Sequence, residues 1–346
     1  MPVGTESWLG ERIESAYAPM AAPGVRLRAM IAYAVQAPSS HNTQPWRFRI
    51  DGNMLELRAD RTRALPVVDP HDRELIISCG AALAHLRVAM CYFGYEGIVR
   101  LLPDPSDQDL LARAWLGAPA SGTVRQTALF RAIPLRHTNR RPFLRQALSG
   151  ALCALLVDTA LDEGTQPRFV HDPAEKVRVA DLIADGDRRQ AADPAFRQEL
   201  ASWIHPDRSR SHDGMPACAF ALPAVLSLAA PWLIRTFNWG NGRAAADRDL
   251  AVASPTMLVI GSRRDTPMDW LRTGQALGML LLEATAHGVS ASFLNQAVEV
   301  PSLRTELARV LDFDGVPQLV LRLGFAEDVR ATPRRGVDDV IDLVDG

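Results

Sequence analysis

Apolar residues recur at helical spacing in three stretches of the chain. Leu27 to Val35 reads as an amphipathic helix that Pro38 stops. A longer one runs from about Asp72 to Phe93, with Asp69-Pro70 as its start signal, and a third from about Trp270 to His287. Strand patterns are shorter. Arg47 to Ile50 and Met54 to Leu57 flank Asp51-Gly52-Asn53 and predict a hairpin with an Asp-Gly turn. Met257 to Ile260 and Gln318 to Leu323 read as further strands, on either side of the third helix. Helix is expected to outweigh strand, and the fold class is α+β.

The pattern repeats. Gly80 to Gly94 overlays Gly274 to Gly288 at an offset of 194, each stretch apolar at helical spacing and closed by glycine. Thr43-Gln44-Pro45 recurs as Thr165-Gln166-Pro167, at an offset of 122. Two matches in the same order predict an internal duplication, with residues 1–122 as the first copy and 123–346 as the second. The copies have decayed in complementary ways. Pro38-Ser39-Ser40-His41-Asn42 precedes the first T-Q-P, where the second has Ala160 to Gly164; Arg136 and Arg140 fall opposite Glu14 and Ala18. Between its matched blocks the second copy is 72 residues longer, and that interval holds Trp203, His205, Trp232 and Trp239. It reads as a lid-like segment at about 196–245, whose aromatic residues either cover a flat ligand or pack on the core.

Composition narrows the functional classes. Of 346 residues, 47% are hydrophobic and 23% charged, an ordinary globular balance, and a net charge of -2 gives no basic excess for nucleic acid. Lys176 is the single lysine, on a charged segment expected to be an exposed helix, so neither a P-loop nor a Schiff-base lysine is expected. Anion binding falls to arginine. The four cysteines lack metal spacing and read as small buried hydrophobes of a reducing compartment. The N-terminal stretch carries acids where a signal peptide needs basic residues, so a cytoplasmic location is expected. Ala217 to Ile234 contains no charge and is long enough to span a bilayer, but Pro223 and Pro231 interrupt it; a buried or lid-like segment is expected instead. No G-x-S-x-G, H-E-x-x-H or strand-borne G-x-G-x-x-G is present.

Three motifs remain: A-P-S-S-H-N-T-Q-P-W from Ala37 to Trp46, R-H-T-N-R-R from Arg136 to Arg141, and T-P-R-R from Thr332 to Arg335. Taken alone, the two arginine motifs read more readily as solvated loop charges. Together the strings resemble the FMN-dependent nitroreductase family, and the fused arrangement resembles its Acg-like branch, in which one chain imitates the family's usual dimer. The resemblance covers roughly Leu27 to Val340 and is weakest over Trp203 to Asn241.

That resemblance implies a nitroreductase-like fold, two tandem degenerate copies forming an intramolecular pseudo-dimer with a lid-like insertion. It implies one FMN, with Arg136, Arg334 and Arg335 on the phosphate. Arg140, Thr138 and the His137 backbone fall along the pyrimidine edge of the ring, and Pro38, Ser39, Ser40 and Asn42 at its face. Phe293 to Gln296 replaces the Pro- or Gly-rich turn of many relatives over the flavin N5, which places Leu294 and Asn295 there. No catalytic side chain or metal is expected, because the flavin carries the electrons. The implied activity is two-electron transfer from NAD(P)H to a nitroaromatic, quinone or similar acceptor. Its rival is a flavin-sequestering protein with a lid-blocked site; azoline dehydrogenation is a more distant alternative. No nucleic acid or membrane partner is expected, and an internal pseudo-dimer points to a monomer.

Overall fold

The computed structural model describes residues 21–207, 209–220 and 224–342. Its first part contains α1 (Pro23–Ala34), β1 (Trp46–Asp51), β2 (Met54–Ala59), α2 (Arg73–Tyr92), β3 (Tyr95–Leu101) and β4 (Leu110–Pro119). There follow α3 (Val124–Ala132), α4 (Gly150–Asp162) and β5 (Gln166–Phe169). An inserted region holds α5 (Pro173–Ala192), α6 (Pro194–Ser202), β6 (Ile204–His205), β7 (Met215–Pro216), α7 (Ala230–Thr236) and α8 (Gly240–Ala253). The chain then forms β8 (Thr256–Ser262), α9 (Pro267–Ala286), β9 (Ser290–Phe293), α10 (Gln296–Glu299), α11 (Pro301–Val310), β10 (Val316–Gly324) and β11 (Ile341–Asp342).

The duplication is written into the topology. One sheet has the order β11-β1-β2-β4-β3 and the other β5-β8-β10-β9. Without β11 the two correspond strand for strand, and every neighbouring pair in both is antiparallel. Each sheet packs on its own long helix, Phe48 and Leu57 against the α2 side and Leu258 and Leu321 against α9. The inserted region falls between β5 and β8, the place of the two-residue hairpin turn in the first copy.

Helices α2 and α9 pack on each other through the glycines that the repeat pairs. A Cβ on Gly80 would lie 2.3 Å from the Leu271 carbonyl oxygen, and one on Gly274 would lie 2.0 Å from that of Ile77. Ile77 and Leu271 are themselves repeat equivalents, so the contact is reciprocal, as across a two-fold axis. Only glycine lets the two backbones come this close.

The predicted elements are present with small shifts at their ends. Helix α1 begins at Pro23, four residues before the expected Leu27, and α9 at Pro267, each with proline in its first turn. The hairpin pairs Phe48 with Leu57, and Gly52 supplies a φ of 55° at its turn. The uncharged stretch is not one helix: it forms 3-10 turns at Ala217–Phe220 and Ala224–Ala229 followed by α7, with residues 221–223 outside the described set. Among the described residues the helix apolar and long enough to cross a membrane is Arg73–Tyr92, and it is buried at the centre of the protein.

Two expectations need correction. Of the cysteines, Cys79 is buried, Cys91 and Cys153 are half-buried and Cys218 is exposed, because Cys218 lies on the inserted region rather than in a core. Lys176 is half-buried, its Nζ donating to the Ser254 carbonyl at 2.9 Å. Glu14 and Ala18, set opposite Arg136 and Arg140 by the repeat, lie outside the described residues. The C-terminal strand crosses back: β11 pairs in parallel with β1, and Val340 is fully buried in the first copy's core.

Candidate functional site

The A-P-S-S-H-N-T-Q-P-W segment forms a strained loop between α1 and β1. His41, Asn42 and Gln44 all adopt left-handed backbone, with φ of 49°, 56° and 53°. Such conformations cost on the order of 1–3 kcal/mol each unless the surroundings impose them. Here they do. Ser39 Oγ accepts from the Gln44 amide at 2.9 Å, and Asn42 Nδ2 donates to the carbonyls of Gly214 (2.9 Å) and Pro333 (3.1 Å). Gln44 is fully buried, donating to the His212 carbonyl at 2.8 Å and accepting from the Arg335 amide at 2.8 Å. The loop is thus held by the inserted region on one side and the C-terminal segment on the other. Trp46, fully buried, anchors its end in the first core.

R-H-T-N-R-R docks beside β9. Thr138 bridges Ala291 in parallel, and the Asn139 amide donates to the Ala291 carbonyl at 2.9 Å. Buried Arg322 grips the segment from below, donating to the carbonyls of Asn139 (3.1 Å) and Arg141 (2.9 Å) with its guanidinium 4.2 Å from the Phe143 ring. These contacts aim Arg136 and Arg140 in fixed directions.

Arg136 and Arg334 meet beneath the strained loop. Both donate to the Gln36 carbonyl, at 3.3 and 3.5 Å, and Arg334 Nη1 also donates to Asn42 Oδ1 at 3.0 Å. The Nε of each is buried without a partner, and neither has a carboxylate in ion-pair contact among the described residues. Burial lowers the Arg136 pKa to about 10, and burial together with Arg136 lowers that of Arg334 to about 9. His85, from α2, lies beside them; burial, then Arg136, pushes it down to about 3, so it is neutral. Burial and the same two arginines bring His137 down to about 4, which leaves it no proton to give at neutral pH. Arg136 is buried and Arg334 half-buried with a buried Nε, and two adjacent cations so placed with no acid partner among the described residues call for an anion.

Next to this pocket a cavity opens between the two copies. Pro38, Ser39, Ser40 and His41 line one side of it, and Thr138, Arg140, Phe293 and Asn295 another. Arg140 reaches the Met215 thioether at 3.5 Å, a weak acceptor, and burial lowers its pKa to about 10, so it remains a cation. The inserted region adds Phe196, Leu200, Met215, Trp239 and Arg243 to the walls. Of the four aromatic residues expected in a flap, only Trp239 reaches the cavity. Trp203 and His205 line a separate outer groove, and Trp232 is exposed.

The cavity has an acidic wall that the motifs did not reveal. Glu74 accepts from Ser40 Oγ at 2.5 Å and from Arg73 Nη2 at 2.8 Å, and Glu299 accepts from Gln190 Nε2 at 2.5 Å. Asp187 accepts from Gln296 Nε2 at 3.2 Å, and burial followed by nearby Asp247 raises its pKa to about 7. Helix α5 lies so close to this turn that a Cβ on Gly186 would fall 2.7 Å from Gln296.

Pro38, Ser39, Ser40, Thr138, Arg140 and Asn295 therefore line the cavity, and Arg136, His137, Asn42 and Arg334 gather behind it. Two residues lie elsewhere. Leu294 is 3% exposed and packs in the core with Val298 and Val320, because the strand-like path of the turn points it inward. Arg335 clamps the tail, donating to the Gln44 carbonyl at 3.1 Å and pairing with Asp60 at 3.8 Å. Asn295 uses its Oδ1 to accept from the Val320 amide at 3.0 Å, so its side chain shapes the turn. Of the residues missed, His85 left a readable signal, a lone imidazole on an apolar helix face. Glu74, Asp187 and Glu299 sit in ordinary charged sequence and left none.

No family model matches the chain. Among curated proteins it is 32% identical over 321 residues to "Putative NAD(P)H nitroreductase Rv3131" of Mycobacterium tuberculosis strain H37Rv, covering 91% of each chain. It is 30% identical over 330 residues to "Uncharacterized protein Rv3127" of the same strain, covering 92% of this chain and 93% of that one. "Probable NAD(P)H nitroreductase PigM" of a Serratia species is 24% identical over 326 residues, covering 89% of this chain and 91% of the other. Among solved structures, an FMN and NADPH-dependent nitroreductase, NfnB, from sphigopyxis sp. strain HMH aligns over 62% of this chain and 98% of its own, at 19% identity and a TM-score of 0.42. The relationship to the mycobacterial protein at 32% identity over 91% of each chain, spanning both copies, makes this chain a member of the nitroreductase family.

Proposed function

We propose that the chain binds one FMN in the cavity between its two copies and uses it to pass two electrons from NAD(P)H to a nitroaromatic, quinone or similar acceptor. The observation that carries the reading is the pair of adjacent guanidiniums of Arg136 and Arg334, without an acid partner among the described residues, whose buried, orphaned Nε atoms fit a dianionic phosphate. Arg140 and Thr138 fit the electron-rich pyrimidine edge of the ring, where a fixed cation favours the reduced form. Pro38, Ser39 and Ser40 fit a flat face. When bound, the flavin supplies hydride chemistry; the protein holds and orients it and limits water. Relatives named as NAD(P)H nitroreductases support the choice of reductant.

A second reading has its own observation. Phe196, Leu200, Met215 and Trp239 of the inserted region occupy the cavity wall, as a cover that hinders a second substrate would. One experiment separates the two. The purified protein is expected to carry one FMN per chain and to bleach anaerobically with NADH or NADPH. Two tightly held FMN per chain would sink the shared-site reading, and one FMN that neither nucleotide bleaches would favour sequestration.

A further inference from the structure

Glu74 and Glu299 come from opposite copies, on α2 and at the end of α10, and both line the central cavity. Glu74 accepts from the Arg73 guanidinium and the Ser40 hydroxyl, whereas Glu299 accepts from the neutral Gln190 amide. Glu299 also lines an outer groove with Asp69, His71, Arg73, Asp265 and Arg304. Its carboxyl therefore stands where the cavity adjoins a path to solvent. An independent feature of the same wall points to a ligand: Asp187 is 3% exposed and its Oδ2 has no partner.

We propose that Glu299 is the acid that delivers a proton to the acceptor in the central cavity, and that the outer groove restores this proton from water. The inference rests on the flavin reading above. Its balance is simple. A quinone takes a hydride, two electrons with one proton, from the reduced cofactor, which is thereby oxidised. The Glu299 O–H bond breaks, its proton completes the hydroquinone, and the carboxylate left behind is reprotonated by water in the groove. Burial and then the Glu74 charge raise the Glu299 pKa, and Asp187 adds to this, while the Gln190 hydrogen bond and Arg73 oppose it. Facing groups are thus Glu74 and Arg73 from α2, Asp187 and Gln190 from α5, and Asp69, His71, Asp265 and Arg304 across the groove.

The test uses the reduced holoenzyme mixed anaerobically with 1,4-benzoquinone between pH 6 and 9. Wild-type oxidation is expected to slow by about tenfold per pH unit above the Glu299 pKa, and Glu299→Gln to be about 100-fold slower with no such limb. A second readout needs no turnover. A raised carboxyl pKa gives stability that is complete below the ordinary glutamate value and lost as pH rises through the folded value. The wild-type Tm should therefore fall from pH 6 to 9 more than that of Glu299→Gln. If Glu299→Gln fails to fold, Glu74→Gln should move the wild-type alkaline limb to lower pH; an unmoved limb overturns the proposal. Parallel Tm curves, or an alkaline limb retained in Glu299→Gln, overturn it as well. A colourless protein overturns the flavin reading and the inference together; a yellow, reducible protein with an unchanged Glu299→Gln profile overturns the inference alone.

Discussion

The two T-Q-P turns lead into corresponding strands of the two copies and are held in different ways. In the second copy, three residues join α4 to β5, with Gly164 supplying a φ of 78° and Thr165 Oγ1 donating to the Ala160 carbonyl at 2.7 Å. The turn is short, locally bonded and unstrained. In the first copy the turn is longer, with three non-glycine residues in left-handed backbone, and its side chains bond to Gly214, His212 and Pro333, all far away in sequence. A local turn needs only its own residues. The strained one persists because the inserted region and the tail impose it, and it is the one that lies against the arginine pair. Duplication left one copy free to keep the scaffold while the other kept the costly loop.

The sharpest way to break this arrangement is at the reciprocal glycine contact. Gly274→Val would put its side chain into the Ile77 backbone, and about 4 kcal/mol or more of stability should be lost, read by chemical denaturation. Near-wild-type stability would mean that the helices are not packed through their glycines. A smaller effect sharpens the contrast between the loops. Arg136→Leu should weaken FMN binding by about 10–100-fold, roughly the 1.5–3 kcal/mol of a charged hydrogen bond, without lowering the Tm of the cofactor-free protein. An equal loss of stability would make Arg136 a structural cation instead.

The smallest effect concerns His85, whose repeat equivalent is Met279. Its folded pKa lies well below its ordinary value, so the stability it permits is present above pH 6.5 and lost as pH falls towards about 3. His85→Met should lessen the drop in stability between pH 7 and 5 by about 1–2 kcal/mol. Superimposable acid profiles would show that the imidazole is not buried neutral.

Much of the scaffold was legible. Helical spacing located α1, α2 and α9, alternation and an Asp-Gly turn located the first hairpin, and paired glycines marked the repeat. Apart from the helix expected around Lys176, the helices of the inserted region were not anticipated, nor were strands β3, β4, β5 and β9, since short, partly exposed elements carry weak periodicity. At the cavity, motif position brought Pro38, Ser39, Ser40, Thr138 and Arg140 to the lining. The side chains of Leu294 and Arg335 lie away from the cavity, in the core and against the tail, because position within a motif does not say which way a side chain points.

By itself, the sequence determined the long helices and the first hairpin, the internal repeat, and that the cations available to hold an anion are arginines rather than lysines. Those properties follow from residue identity and local spacing, which the backbone reads over a few residues. Tertiary structure alone decided that Arg136 and Arg334 lie side by side without an acid, that Glu74 and Glu299 face one cavity from opposite copies, and that the tail closes the first sheet. Burial and long-range contact set those charges and pKa values, and neither is written in any stretch of neighbouring residues.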